Sequence, residues 1–294
     1  MTPIVAQASD DPYAWLEEIE GARALAWARA ENARTLPILE SDPRFPALHA
    51  EARAILTSPA RIPVGSIHHG AVYNFWQDEQ HVRGLWRRAS VDSYRAGKPR
   101  WETLIDFDAL AKSEGENWVS GRFHCLAPEY RHCMVELSRG GGDTSTWREF
   151  DTTTKSFVRN GFALPEAKSD VSWVDADTLI VGTDWGPGSL TNSGYPRLVK
   201  TWRRGTALAD ATTLFEGRKE DVAVRSYVDH DGGNAQPFVT RGVSFFENEY
   251  YYAPRLAEPR KLPLPLNADI EGVLDGRAIF FLREAWRYRD TAYP

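Results

Sequence analysis

The chain is short of several things, and each shortage excludes something. It holds only two cysteines in 294 residues, too few for a disulfide scaffold. Its apolar runs are brief, Ala278-Ile-Phe-Phe-Leu282 among the longer. None approaches the roughly 20 residues of a membrane helix, so a soluble chain with no membrane partner is expected. Positive charge is not in excess. The formal net charge is −6 and the pI is near 5.7. A nucleic-acid partner, which needs a basic face, is therefore not expected. Met1 to Ser9 has no basic leader region and too short an apolar core for a signal peptide. Residues 1–9 are read as a disordered tail, although Ala6-Gln7-Ala8 resembles a small-residue cleavage site. A cytoplasmic location follows, with the periplasm as the alternative if a leader was lost from the start.

What is present points to a folded, sheet-rich chain. Apolar residues make up 42% and aromatics 12%, which excludes a disordered polymer. The 18 prolines, 22 glycines and 11 tryptophans suit many turns between aromatic strands.

Residues 10–62 read as a helical segment. Asp11-Pro12 suits a cap and a first-turn proline. Ala24, Trp27, Ala28 and Glu31 recur at helical spacing within the stretch from Ala22 to Leu36. Phe45, Leu48, Ala52, Ile55 and Leu56 form one apolar stripe after Asp42-Pro43, and Pro59 and Pro63 stop it.

Beyond about Ile67 the pattern changes to short β-branched and aromatic runs divided by turn clusters. The runs are Val72–Trp76, Gly84–Arg88, Trp101–Ile105, Cys133–Leu137, Thr178–Val181, Leu198–Trp202, Gly242–Phe246, Tyr250–Tyr252 and Ala278–Leu282. No helix-length periodic segment is visible between them, which argues against a parallel βαβ fold. Taking Arg87, Arg148, Lys200 and Ala253 as equivalent positions gives spacings of 61, 52 and 53 residues. That period suits propeller blades of about four strands, with an irregular β-sandwich as the alternative.

Several segments together resemble the prolyl oligopeptidase family of serine peptidases. Asp11-Pro-Tyr-Ala-Trp-Leu-Glu-Glu18, Ala26-Trp27 and Glu31-Asn32 are similar to its amino-terminal helical signature. Phe75-Trp-Gln-Asp-Glu79, Arg83-Gly-Leu-Trp-Arg-Arg88 and Trp101-Glu-Thr-Leu-Ile-Asp106 resemble its first blade. Leu137-Ser-Arg-Gly-Gly-Gly-Asp143 with Arg148-Glu-Phe-Asp151 resembles the second, and Phe281-Leu-Arg-Glu284 with Trp286 a later one. The resemblance implies a seven-bladed propeller that filters peptide substrates for an α/β-hydrolase domain, where Ser, Asp and His cleave after proline.

The match is incomplete. The hydrolase elbow Gly-x-Ser-x-Gly needs small residues around a sharply turned serine. Here Gly242-Val-Ser244 comes nearest, and Phe246 breaks it. The expectation is mainly β: a helical segment over residues 10–62, then a partial propeller of about four blades over residues 63–294. The hydrolase domain is absent, so no catalytic residue is assigned and no activity is expected from this chain alone. Self-association through an unpaired blade edge is expected as well.

No cofactor and no metal is expected. His124-Cys125 and His132-Cys133 carry zinc-type ligands, but in extended chain each pair points to opposite faces. The preferred reading is two buried thiols, and the alternative is a disulfide from Cys125 to Cys133. His68-His69 and Asp229-His230 read as edge and turn positions rather than as ligands or a catalytic pair. The polar stretch Asp184–Tyr195 is a loop that suits a partner domain. Two other functions stay open: a stand-alone propeller that binds proteins or glycans, and a propeller glycosidase with two facing carboxylates.

Overall fold

The computed structural model describes residues 11–18 and 21–293, so the expected tail at residues 1–9 lies outside the described residues. The chain divides into two compact units between Arg61 and Ile62.

The first unit is helical. A single 3-10 turn over Ala14–Glu17 precedes α1 (Ala22–Glu40) and α2 (Phe45–Leu56). Asp11 does not cap a helix through its side chain. Its carboxylate accepts the Tyr13 N–H at 2.8 Å and closes a local turn. Helix α1 continues through Pro37, beyond the expected end at Leu36. Trp15 meets Trp27 edge-on at 6.4 Å, with the Arg23 guanidinium 3.9 Å above the Trp15 ring.

The second unit is a series of antiparallel sheets, each made from consecutive strands. The first blade is β1 (Ser66–His68), β2 (Ala71–Trp76), β3 (Leu85–Ser90) and β4 (Glu102–Asp106). The second is β5 (Trp118–Cys125), β6 (His132–Arg139), β7 (Ser145–Asp151) and β8 (Ser156–Phe157), with β9 (Ala163–Ala167) also paired to β7. The third is β10 (Asp170–Asp175), β11 (Thr178–Gly182), β12 (Leu198–Arg203) and β13 (Thr212–Glu216). The fourth is β14 (Ala223–Asp229), β15 (Gln236–Gly242), β16 (Asn248–Tyr252) and β17 (Arg260–Lys261). Two hairpins follow, β18 (Asp269–Leu274) with β19 (Arg277–Phe281) and β20 (Trp286–Tyr288) with β21 (Thr291–Tyr293). The fold is thus mainly β, a propeller arc of four blades and further hairpins after a helical segment. Every named strand pair among the described residues is antiparallel, so no parallel hydrolase sheet occurs there. Arg87, Arg148 and Lys200 each lie on the third strand of a blade, and Ala253 follows directly on a third strand.

The second strands show why these segments read as unbroken apolar runs. Cys133, Val135 and Leu137 of β6 enter a core with Tyr73, Trp86 and Phe107, while Met134 points the other way to Trp147 and Trp173. In β11, Leu179 and Val181 join that second core, and Ile180 joins a third with Val199, Val224 and Val239. These two strands are therefore buried on both faces, which replaces strict alternation with continuous hydrophobicity. Each fully buried Val, Leu or Phe contributes about 1.5–3 kcal/mol.

Two expectations fail here. Helices do occur between strands: α3 (Val91–Arg95) and α4 (Phe107–Glu114). The Asp106 carboxylate caps α4 by accepting the Ala109 N–H at 2.9 Å, and Gly115 ends it at φ +67°. Phe107 and Ala111 hold its inner face in the core. The second failure is Gly242–Phe246, of which only Gly242, the last residue of β15, lies in a strand. Residues 243–246 belong to the turn between β15 and β16, and Phe245 and Phe246 stand 83% and 79% exposed there.

Candidate functional site

Strand β10 lies against both β5 and β14, so the first strands of three blades converge. Between the middle of β5 and the first residues of β10 and β14, a cavity of about 300 Å³ opens, lined by charged and hydroxyl-bearing side chains. A bulge in β5 builds its first wall. The register shifts between Ser120 and Phe123, which turns the Arg122 N–H to the Glu136 carboxylate at 3.0 Å. Gly121 permits this approach, because a Cβ there would stand 2.6 Å from Glu136 Oε2. Arg122 Nε also donates to Glu136 at 2.9 Å, and Ser145 Oγ adds a third donor at 2.7 Å. Burial alone would raise the Glu136 pKa, but the Arg122 and Ser145 donors outweigh it and hold the carboxyl below its ordinary range. Arg122 Nη1 reaches Asp170 at 3.2 Å as well.

The opposite wall comes from the link between β11 and β12. This stretch is closed on itself by hydrogen bonds. Asp184 Oδ1 accepts from the Gly186 N–H at 2.8 Å and from Ser189 Oγ at 3.0 Å. The Thr191 N–H donates to the Tyr195 carbonyl at 2.8 Å, and Ser193 Oγ fixes the loop to the Val222 carbonyl at 2.9 Å. The loop thereby delivers the Tyr195 ring to the cavity. Lys168 Nζ lies 4.5 Å from that ring's centroid and bonds Asp143 at 2.7 Å. The Arg225 guanidinium sits 5.9 Å from the same centroid.

A larger cavity of about 550 Å³ lies between β15, β16 and the two hairpins. Its walls are mostly apolar, and Phe238, Phe280, Leu282 and Trp286 are typical. It brings no Asp, Glu, His, Lys or Arg together, so it offers less chemistry than the smaller one.

The histidines and cysteines go to separate partners. His124 Nδ1 contacts the Val171 carbonyl at 2.7 Å, whereas His132 Nδ1 contacts Glu149 at 3.0 Å. Cys125 and Cys133 face each other across β5 and β6 and are joined as a disulfide, S–S 2.00 Å. The reading as two free thiols is therefore corrected. Among the described residues no three His, Cys, Asp or Glu side chains gather as a metal would need. His68 stacks on Tyr130 at 4.2 Å, and His69 occupies a turn at φ +46°. Asp229 accepts from Tyr227 Oη at 2.7 Å, while His230 Nε2 contacts the Trp173 carbonyl at 3.0 Å. Ser244 lies in the β15–β16 turn and donates to Glu247 at 2.9 Å.

A model of the prolyl oligopeptidase N-terminal beta-propeller domain matches residues 4–278. The chain belongs to the prolyl oligopeptidase family. It is 42% identical to an uncharacterized peptidase of Sinorhizobium fredii over 95% of its length, and 31% identical to one of Rickettsia prowazekii over 94%. It spans only 39% and 40% of those two proteins. Among solved structures it resembles a post-proline cleaving enzyme from Rickettsia typhi, with 30% identity and a TM-score of 0.84. That match covers 94% of this chain and 42% of the enzyme.

Membership in the family explains the blades and leaves the cavity to be read from its own chemistry. A glycosidase acid needs a raised pKa. Glu136 is held in the opposite direction, which counts against that reading at this cavity. Sequence reasoning named the loop Asp184–Tyr195 but missed Arg122, Glu136, Asp170 and Arg225. The available signal was charge on strands that open apolar blades.

Proposed function

We propose that the chain is the gating part of a serine peptidase of the prolyl oligopeptidase type. Its blades admit oligopeptides towards a hydrolase domain and exclude folded proteins. The chain does not cleave peptides by itself. The observation that carries this reading is the propeller-domain match over residues 4–278, in a chain that spans about two-fifths of its peptidase relatives. It is supported by the lack of a Gly-x-Ser-x-Gly elbow in the 294 residues. The name of the similar Rickettsia typhi structure, a post-proline cleaving enzyme, suggests the bond cut by the complete machinery. In this reading the Asp184–Tyr195 loop faces the hydrolase domain, since its own hydrogen bonds hold it in one shape for docking.

The test is hydrolysis of a proline-containing chromogenic peptide by the purified chain. No turnover is expected. Turnover that a serine-directed inhibitor abolishes would contradict the reading.

A further inference from the structure

The cavity lined by β5, β10 and β14 is unevenly charged. Arg122 serves two carboxylates, Glu136 and Asp170, and Lys168 serves Asp143. Arg225 serves none among the described residues. Its guanidinium lies over the face of Tyr195, 5.9 Å from the ring centroid. Formal charges balance across these six groups, but they are not mixed. The Arg122 side holds surplus negative charge, and the Arg225 side holds the unmatched cation.

An arginine left over in a recess has a specific chemical complement. Its planar fork matches a carboxylate in a bidentate geometry. The neighbouring carboxylates already have partners of their own. Asp170 already accepts from Arg122 at 3.2 Å and from the Ser226 N–H at 3.3 Å. Asp143 is held by Lys168. The Tyr195 ring provides an apolar surface beside the guanidinium, against which a residue adjoining the carboxylate can pack. The recess, at about 300 Å³, has room for one or two residues of a peptide.

We propose that Arg225 and Tyr195 form a subsite that captures a carboxylate of an oligopeptide entering the propeller. This rests on the gating reading above and narrows its substrate class to peptides bearing an accessible carboxylate. The carboxylate has two sources, the chain terminus and an acidic side chain, and the test separates them.

Ligand-observed NMR titrations of the full 294-residue chain would use three acetylated pentapeptides. The first is Ala-Gly-Pro-Ala-Gly with a free carboxyl terminus. The second is the same peptide amidated. The third is the amide with glutamate in place of the fourth residue. The free acid is expected to bind up to about fivefold more tightly than the plain amide, the scale of one exposed ion pair. Arg225→Gln should remove that difference without weakening the amide, and Arg225→Lys should restore part of it. Arg225 is exposed, so these variants are expected to keep the parent melting temperature. If the glutamate amide regains the tight binding, the site reads any peptide carboxylate; if it does not, the site reads the terminus. Equal binding of acid and amide, or an acid preference unchanged in Arg225→Gln, would overturn the subsite and leave the gating reading standing. Failure of all three peptides to bind would overturn the subsite too, whereas peptide turnover by the chain alone bears only on the gating reading.

Discussion

The guanidinium of Arg204, just past β12, closes on the carboxylate of Glu149 in β7 through paired contacts of 2.8 and 3.0 Å. The pair ties the third blade to the second. Glu149 is fully buried and also accepts the Phe162 N–H at 2.9 Å. Burial pushes its pKa up, and the Arg204 and Phe162 donors more than offset that. Removing Arg204 would leave the buried carboxylate with only His132 Nδ1 and the Phe162 N–H beside it. Arg204→Ala is expected to lower the unfolding free energy by about 3 kcal/mol, measured by denaturant titration. A loss below about 1 kcal/mol, the scale of a surface pair, would contradict this.

Acid should weaken the fourth blade. Glu249 accepts from Arg241 at 2.9 Å, from Tyr251 Oη at 2.7 Å and from Lys261. Burial opposes its ionisation, but these donors prevail and bring its pKa to about 2, from an ordinary 4.5. A depressed carboxylate stabilises the fold above its unfolded value. That contribution is present above pH 4.5 and is lost as the pH falls towards about 2. Melting temperatures measured across this window should fall with acid, and Glu249→Gln should flatten the fall. An unchanged slope in the variant would count against the assignment.

Reduction should loosen the second blade. The Cys125–Cys133 bond closes a loop with a sequence separation of 8. Chain entropy for so short a loop gives about 2–3 kcal/mol. A lower melting temperature in reductant is expected, and the double serine variant should match the reduced protein. Such a bond suits an oxidising compartment. Alkylation of protein taken directly from cells, read by mass spectrometry, checks that the bond is formed. Two alkylated cysteines would contradict the oxidised state.

Self-association is expected at the last hairpins. Among the described residues β18 and β19 pair only with each other, and Leu274, Ile279 and Phe281 are exposed on them. Open edges and exposed apolar side chains favour contact between copies. Light scattering should give a mass that rises with concentration above the monomer's 33.2 kDa. A concentration-independent monomer would contradict this.

The sequence disclosed the blades where burial was two-sided. Cys133–Leu137 and Thr178–Val181 read correctly because both faces of those strands are in cores. Gly242–Phe246 misled because an exposed aromatic turn has the composition of a strand. Helix α4 was missed because its eight residues directly follow β4, so it shows too few turns for a period to emerge. The cavity was illegible for a different reason. Arg122, Asp170 and Arg225 open three separate sheets, and only the packing of β10 on β5 and β14 brings them together.

The central claim is that this propeller carries no acyl-transfer chemistry of its own. Incubation with a fluorophosphonate, followed by intact-mass spectrometry, tests it most directly. The expected result is an unmodified chain, because no serine here sits in a nucleophile elbow. A stoichiometric adduct on a single serine would contradict the account.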